Sequence, residues 1–225
     1  MSYESYLIRL SRYTLGLFSL AIGVTLSIKS QLGVSPVNSL PYVVSKVMNL
    51  ELGLVTTLVF TVYVLMQILL LRKDFKIYNL AQILVASVFG YFVTITNHLF
   101  QWISTPQFFA GRILLLVLSI LIVAFGLFQY LKAELMAQPA EGLVLGISKI
   151  SKYPVATVKL YFDCTVVLLS TLISYLSFGK IVGVGIGTVI SAFMIGKTLH
   201  LMHEFSAQYE TRKLKTLELR RNSNG

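Results

Sequence analysis

The sequence predicts an all-α fold, a polytopic membrane helix bundle of about six transmembrane helices arranged as two inverted three-helix repeats. Three observations support this prediction: the composition, six long apolar stretches, and a similarity between the two halves of the chain. Hydrophobic residues make up 56% of the 225 residues and charged residues 12%, with a mean hydropathy of +0.77. A soluble domain carries about 25% charged residues, so we expect most of this surface to lie in lipid.

Six stretches are long and apolar enough to cross a bilayer. The hydrocarbon core is ~30 Å thick and takes about 20 apolar residues as a helix. The six stretches are roughly Tyr13 to Ile28, Leu52 to Leu71, Leu80 to Phe100, Ile113 to Leu131, Val155 to Phe178 and Ile181 to Leu201. Two further helix-like segments, Pro36 to Met48 and Pro139 to Ser151, would each be only ~20 Å long at 1.5 Å per residue. We expect these two not to cross.

The two halves of the chain are similar in sequence. Gly23 to Lys46 aligns with Gly126 to Lys149 at a constant offset of 103 residues, with seven identities in 24 positions. Such self-similarity is typical of transporter folds. Each copy, at about 10–100 and about 111–201, holds three spans. Because three is odd, the second copy must enter the membrane from the opposite face.

The charge distribution predicts the orientation of a single transmembrane domain, 1–204, and its basic cytoplasmic tail, 205–225. Six crossings place most basic residues on the side of the two termini, so the positive-inside rule predicts both termini in the cytoplasm. The formal net charge is +10, but the basic residues are scattered between apolar runs and gathered in the tail. We therefore expect the lipid bilayer, including anionic lipids, and no nucleic acid as the partner.

The two short segments each begin at a proline, at equivalent places in the two copies. Proline is favoured at the first position of a helix, where no backbone donor is needed. If both segments are re-entrant, their positive dipole ends meet at mid-depth and would attract a small polar or anionic solute. If they are interfacial, they lie flat at the membrane surface; the sequence leaves both options open. The expected lining residues of a re-entrant site are Ser35, Pro36, Asn38, Ser39, Gln138, Pro139 and Glu141.

Two charged residues lie inside the fifth apolar stretch. Lys159 and Asp163 are four residues apart on one helix face, where they would pair. Ionisable residues inside a membrane are candidates for function, so the pair either couples transport to a cation or proton, or locks the structure.

Small residues in the last stretch have a different expected role. We expect Gly183, Gly185, Gly187 and Gly196 to serve helix packing. The sequence has no catalytic signature and no set of metal ligands. We therefore expect no enzyme activity, no metal and no cofactor.

Several short motifs resemble those of the YczE/YyaS/YitT-type bacterial integral membrane proteins. The segment Leu32-Gly33-Val34-Ser35-Pro36 matches an LG-x-SP element that follows the first span in that family. Gly185-Ile186-Gly187-Thr188 matches a G-x-GT element that opens the last span. The resemblance extends over roughly Tyr13 to His200 and implies a polytopic protein of the bacterial cytoplasmic membrane.

Two functional hypotheses follow from these patterns. The first is a small-solute transporter or permease whose site lies at the two proline elements, near the middle of the membrane. The alternative is a non-transporting accessory protein that supports a partner enzyme or complex at the membrane. A bundle of this size is also compatible with a homodimer.

Overall fold

The structure, a computed structural model, describes residues 6–223, with side chains described to residue 208. Within these residues the chain has eight α-helices, two short 3-10 helices and no β-strand, which confirms the predicted all-α class. The α-helices are α1 (Tyr6–Ser30), α2 (Pro36–Met48), α3 (Leu52–Leu71), α4 (Ala81–Leu99), α5 (Phe109–Lys132), α6 (Pro139–Ser151), α7 (Val155–Phe178) and α8 (Ile186–Ser223). The 3-10 helices, Arg72–Asp74 and Ile77–Leu80, join α3 to α4.

Among the described residues, five helices are long and apolar enough to cross a membrane: α1, α3, α4, α5 and α7. They correspond to the first five predicted spans. The sixth predicted span, Ile181 to Leu201, is not among these five. The helix in that region, α8, begins only at Ile186, after an irregular loop, and continues to Ser223. The predicted boundary between span and tail at residue 204 therefore falls inside one continuous helix.

The two short helices have matching ends. Each begins with a proline at its first position, as the sequence predicts. Each also ends at a residue in the left-handed conformation: Asn49, with φ 52°, after α2, and Lys152, with φ 62°, after α6. This conformation is a common helix stop. Asn49 and Lys152 are 103 residues apart, the offset of the internal repeat.

Helices α1 and α5 form an antiparallel pair at the centre of the bundle. An added Cβ on Gly16 would lie 2.8 Å from the Gly126 carbonyl oxygen, and one on Gly23 would lie 3.1 Å from the Ser119 carbonyl oxygen. As the residue number rises along α1, the contacting number falls along α5, so the helices run in opposite directions. Small residues at a helix interface permit such close backbone approach.

Each central helix has a parallel neighbour. α4 lies beside α1, with Thr25 and Thr96 joined by a 2.9 Å hydrogen bond. α8 lies beside α5, where the rings of Phe128 and His203 are 5.1 Å apart. α8 therefore packs beside the last turns of α5.

The short helices α2 and α6 do not cross the bundle. α2 follows α1 and begins at the end of the bundle where α1 and α4 stop. α3, which follows α2, begins at the same end, because Glu51 lies near His98 in the last turn of α4. α2 therefore starts and finishes at one end of the bundle. α6 likewise leaves from and returns to the opposite end, where Lys149 pairs with Asp74 at 2.8 Å. Both are nevertheless packed among other helices: α2 contacts α3, α7 and α8, and α6 contacts α3, α4 and α7.

The last two long helices of each half, α3 with α4 and α7 with α8, differ in how tightly they pack. α3 and α4 pack tightly, at a point where Gly53 and Gly90 leave no room for a Cβ on either helix. α7 and α8 share no packed interface. α7 also carries exposed apolar side chains, with Leu168 and Leu176 both more than two thirds exposed.

Candidate ligand cavity

A cavity of about 680 Å³ lies inside the bundle and is lined by residues from all eight helices. Its volume is within the ~300–1,000 Å³ typical of small-molecule sites. The apolar part of its wall includes Leu20, Val24, Phe60, Phe89, Val123 and Leu127. The polar and charged residues on its wall are Ser35, Asn38, Glu134, Gln138, Glu141, Lys159, Asp163 and Ser191. The cavity thus combines a large apolar wall with a small group of polar side chains.

The start of α2 borders this cavity as the re-entrant hypothesis requires. Ser35 occupies the position before the helix, and Asn38 donates a 2.9 Å hydrogen bond from Nδ2 to the Ser35 Oγ. Ser35, Pro36 and Asn38 all line the cavity. Ser39, which we expected beside them, does not: it is fully buried, donates to the Pro36 carbonyl oxygen at 2.7 Å, and lies 2.9 Å from the Ser170 Oγ.

The start of α6 contains a more extensive polar cluster. The Tyr130 hydroxyl donates to Glu141 Oε2 at 2.6 Å and accepts from the backbone N–H of Gln138. Glu141 Oε2 also accepts from the Gln138 N–H at 3.3 Å, which completes a capping box at this helix start. Gln138 and Glu141 line the cavity, but Pro139 does not.

Gln138 has one polar atom without a partner. The residue is 6% exposed, and its Nε2 has no hydrogen-bond acceptor among the described residues. Leaving a buried donor unsatisfied costs about 1–3 kcal/mol. Because Gln138 lies on the cavity wall, an acceptor atom on a bound molecule would satisfy it.

The predicted ion pair forms on the cavity wall. Lys159 Nζ donates to Asp163 Oδ1 at 2.6 Å, and both residues line the cavity. The Asp163 side chain is 18% exposed and that of Lys159 is 37% exposed. An ammonium group has three donors, so one contact to Asp163 leaves Lys159 able to bind a further acceptor.

The two family motifs contact each other, although about 150 residues separate them. Val34 N–H donates to the Gly183 carbonyl oxygen at 2.9 Å, and Gly187 N–H donates to the Leu32 carbonyl oxygen at 2.7 Å. Gly33 has a φ of +118°, and an added Cβ would lie 2.5 Å from the Thr188 Oγ1. The LG-x-SP element is therefore bound, backbone to backbone, to the G-x-GT element.

The four glycines expected to pack helices are not equivalent in the structure. Gly185 and Gly187 pack on the Leu32 backbone in the loop before α2, and Gly183 packs on the Tyr42 ring of α2, so none of these three contacts is with a neighbouring span. An added Cβ on Gly196 would meet no atom within 4 Å. Gly196 instead lines the cavity.

Two residues of this region, Tyr130 and Gln82, were not predicted from the sequence. Tyr130 gave no signal in the sequence, because a tyrosine near the end of an apolar helix is common at membrane interfaces. Gln82 joins Gln67 through a 2.8 Å hydrogen bond, and Gln67 also donates to the Pro139 carbonyl oxygen at 3.1 Å. These contacts fix the start of α6 against α3 and α4. Among the described residues, no three His, Cys, Asp or Glu side chains form a potential metal site.

The fold and cavity define the class of this protein: an all-helical membrane protein with several spans and an internal, largely apolar cavity. The chain belongs to the family of unknown function DUF6198, which matches residues 7–204. It is 25% identical over 197 residues to the uncharacterized membrane protein YczE of Bacillus subtilis (strain 168), covering 87% of this chain and 86% of that protein. This confirms the predicted membership of a YczE-type membrane family. No solved structure matches the chain.

Proposed function

We propose that this protein is a membrane transporter for a small solute, built as an inverted repeat, with its binding site where the starts of α2 and α6 border one cavity. The observation that carries the proposal is this shared cavity, in which two repeat-related helix starts place polar groups beside an apolar wall. Sites of this kind, near the middle of the membrane and between inverted repeats, are typical of secondary transporters.

The duplication is supported by contacts that recur at the repeat offset. α1 and α5 are repeat equivalents and run antiparallel, as an inverted repeat requires. The contact of Ser39 with Ser170 corresponds to that of Gly142 with Gln67, because each residue is 103 positions from its equivalent. At Gly142 an added Cβ would lie 2.9 Å from the Gln67 Oε1. The longer side chain of Gln67 thus occupies the space beside Gly142, which has no side chain of its own.

The position of α8 supports a sixth crossing. At one end of α8, Gly187 is bonded to Leu32, beside the last turn of α1, and further along Ser206 accepts from Lys132 at 3.2 Å. α8 therefore extends alongside α5 over the length of that span. Six crossings would put both termini on one side, and the basic residues concentrated there support a cytoplasmic location for that side in a bacterial cell.

Cysteine labelling tests whether the cavity is accessible to water and solute. In a Cys164→Ser background, Ser35→Cys and Ala140→Cys introduce single thiols on the cavity wall. A membrane-impermeant, charged methanethiosulfonate is applied to right-side-out and to inverted vesicles. We expect both thiols to react, because only a hydrated thiol ionises readily.

Two matched variants control for lipid exposure and for simple burial. Leu168→Cys lies on a lipid-facing surface, 70% exposed, and Ser170→Cys is fully buried away from the cavity. Neither should react. If Ser35→Cys and Ala140→Cys are also inert from both faces, the cavity is dry and the transport proposal fails. That result would favour the accessory role.

A further inference from the structure

We infer that the cavity opens sideways into the lipid between α7 and α8, and that its ligand is an amphipathic organic cation that enters through this opening. The inference rests on the proposed function and deepens it by naming the route and the class of solute. It depends on the missing contact between α7 and α8, the charge of the cavity wall, and the unpaired amide of Gln138.

The side opening follows from how the two helices line the cavity. Val155, Lys159 and Asp163 come from α7, while Ser191 and Gly196 come from α8, so both helices border the same space. Yet the two helices share no packed interface. α2 contacts both helices and covers part of the gap between them, so the side opening would lie in the part of the gap that α2 leaves uncovered. On α8, Gly196 leaves space at this opening, because it carries no side chain and an added Cβ would meet no atom within 4 Å.

The charge of the wall favours a cation over an anion. Three carboxylates, those of Glu134, Glu141 and Asp163, line the cavity against one ammonium, that of Lys159. Arg9 does not line the cavity, and its guanidinium is bound to the carbonyl oxygens of Ala133 and Glu134. Opposite charges attract strongly where water is scarce. The sequence-based expectation of a small polar or anionic solute depended on the helix dipoles alone. The carboxylates of the wall instead favour a cation.

The rest of the wall fits the apolar part of such a molecule. Phe60, Phe89 and Tyr130 border the cavity and add to its apolar surface. Leu20 and Val24 continue the apolar surface toward the middle of α1. A ligand with its charge near Glu141 and its apolar part among these residues would match both regions.

The amide of Gln138 adds an oxygen acceptor to the description of the ligand. The Gln138 Nε2 is buried and unpaired, and Gln138 lies beside Glu141 on the cavity wall. A carbonyl, ester or hydroxyl oxygen near the positive charge of the ligand would accept its hydrogen bond. The class is therefore an amphipathic cation that carries an oxygen acceptor close to its charge.

Bromine quenching of a tryptophan inside the cavity tests this inference. Trp102→Phe removes the native tryptophan, and Phe89→Trp places a reporter on the cavity wall, where the residue is 2% exposed and shielded from bulk lipid. The protein is reconstituted in bilayer nanodiscs. The probes are the cations 12-bromododecanoylcholine and 12-bromododecyltrimethylammonium, and the anion 12-bromododecanoate. If Phe89→Trp does not fold, Leu127→Trp, on the same wall, replaces it as the reporter.

The expected result is saturable quenching by the choline ester, weaker quenching by the alkylammonium, and little by the anion. Glu141→Gln removes a carboxylate but keeps a residue suited to the capping box, and should weaken cation affinity on the order of tenfold, or ~1.4 kcal/mol. Gly196→Phe should obstruct the opening and reduce quenching at Phe89→Trp. Met194→Phe, on α8 but off the cavity wall, should leave it unchanged.

Two results would overturn the inference. Equal quenching by cation and anion would remove the charge selectivity. The side entrance would be contradicted if the fluorescence of Phe89→Trp is not quenched while that of the lipid-exposed Phe193→Trp is quenched. These failures are distinct from failure of the transport proposal, because thiol labelling reports access from water and bromine quenching reports access from lipid.

Discussion

The helix pair α3–α4 and its repeat counterpart α7–α8 differ at the residues that would let them touch. In the first pair, Gly53 of α3 meets Gly90 of α4, and backbone packs directly on backbone. Their sequence equivalents are Ala156, at the offset of 103, and Met194, at an offset of 104 after the one-residue shift that aligns Phe89 with Phe193. α7 does not pack on α8. Helices in lipid associate through small residues that permit close approach. The loss of the glycines therefore accompanies the change from a packed helix pair to an unpacked one.

The two short helices differ in how their preceding loops are held. The loop before α2 is bonded backbone to backbone with the start of α8: Val34 donates to Gly183, just before this helix, and Gly187, in its first turn, donates to Leu32. The loop before α6 is held by side chains of α1, because Arg9 donates to Ala133 at 2.9 Å and Tyr13 donates to Met136 at 2.9 Å. The same duplicated element is thus fixed by two different kinds of contact.

The largest effect is expected from filling the sealed interface. Gly53→Val places a side chain against the Gly90 backbone, which cannot move aside, and should reduce the free energy of unfolding by about 3 kcal/mol or more. Ala156→Val makes the corresponding change in the open pair and should stay within about 0.5 kcal/mol. Thermal unfolding followed by circular dichroism in one detergent measures both. Equal losses would show that the two pairs do not differ as described.

The contact between the two family motifs is tested at Gly33. Gly33→Ala should cost about 1–3 kcal/mol, because its positive φ is unfavourable and its Cβ meets Thr188. Gly179→Ala is the matched variant: its φ is +65°, but an added Cβ meets nothing within 4 Å. The same unfolding measurement should give a smaller loss for Gly179→Ala. A loss as large as that of Gly33→Ala would mean that backbone conformation alone, and not the contact, is responsible.

A smaller difference is expected between two equivalent polar residues. Gln67→Ala leaves the Gln82 Oε1 and the Pro139 carbonyl oxygen without their donor, at a cost of about 2 kcal/mol. Ser170→Ala removes the bond to Ser39, which keeps its bond to Pro36, and a bond within α7 to the Val166 carbonyl oxygen. We expect a cost of about 0.6 kcal/mol. Chemical unfolding in mixed micelles separates the two values. A larger loss for Ser170→Ala would contradict the proposed role of the glutamine.

The smallest effect is expected at the membrane surface. Lys149 pairs with Asp74, and its equivalent Lys46 lies 5.6 Å from the Tyr42 ring centroid. Both lysines are near an end of the bundle, and the side chains of Lys149 and Asp74 are about 60% exposed, so water and salt weaken their attraction. Lys149→Ala and Lys46→Ala should both leave the melting temperature unchanged within error. A clear decrease for only one would reveal a structural role that its equivalent lacks.

Much of the local structure was predictable because it depends on neighbours in the chain. Pro36 and Pro139 begin their helices where predicted, and the Lys159–Asp163 pair forms because four residues make one helical turn. The partners of Ser39 and Pro139 were not predictable, because Ser170 and Gln67 approach them only after the helices pack. Ser39 was expected to face the cavity and instead faces α7.

The sequence by itself determined the membrane class of the protein, the five apolar spans and the helix starts at Pro36 and Pro139, since hydropathy and proline chemistry act within a few residues. Only the tertiary structure decided that Gly33 meets Thr188, that Tyr130 binds the start of α6, and that α7 separates from α8. The physical reason is that a cavity is a property of packing. Whether two helices touch depends on the shapes of side chains that are far apart in the chain, and no local pattern records that fit.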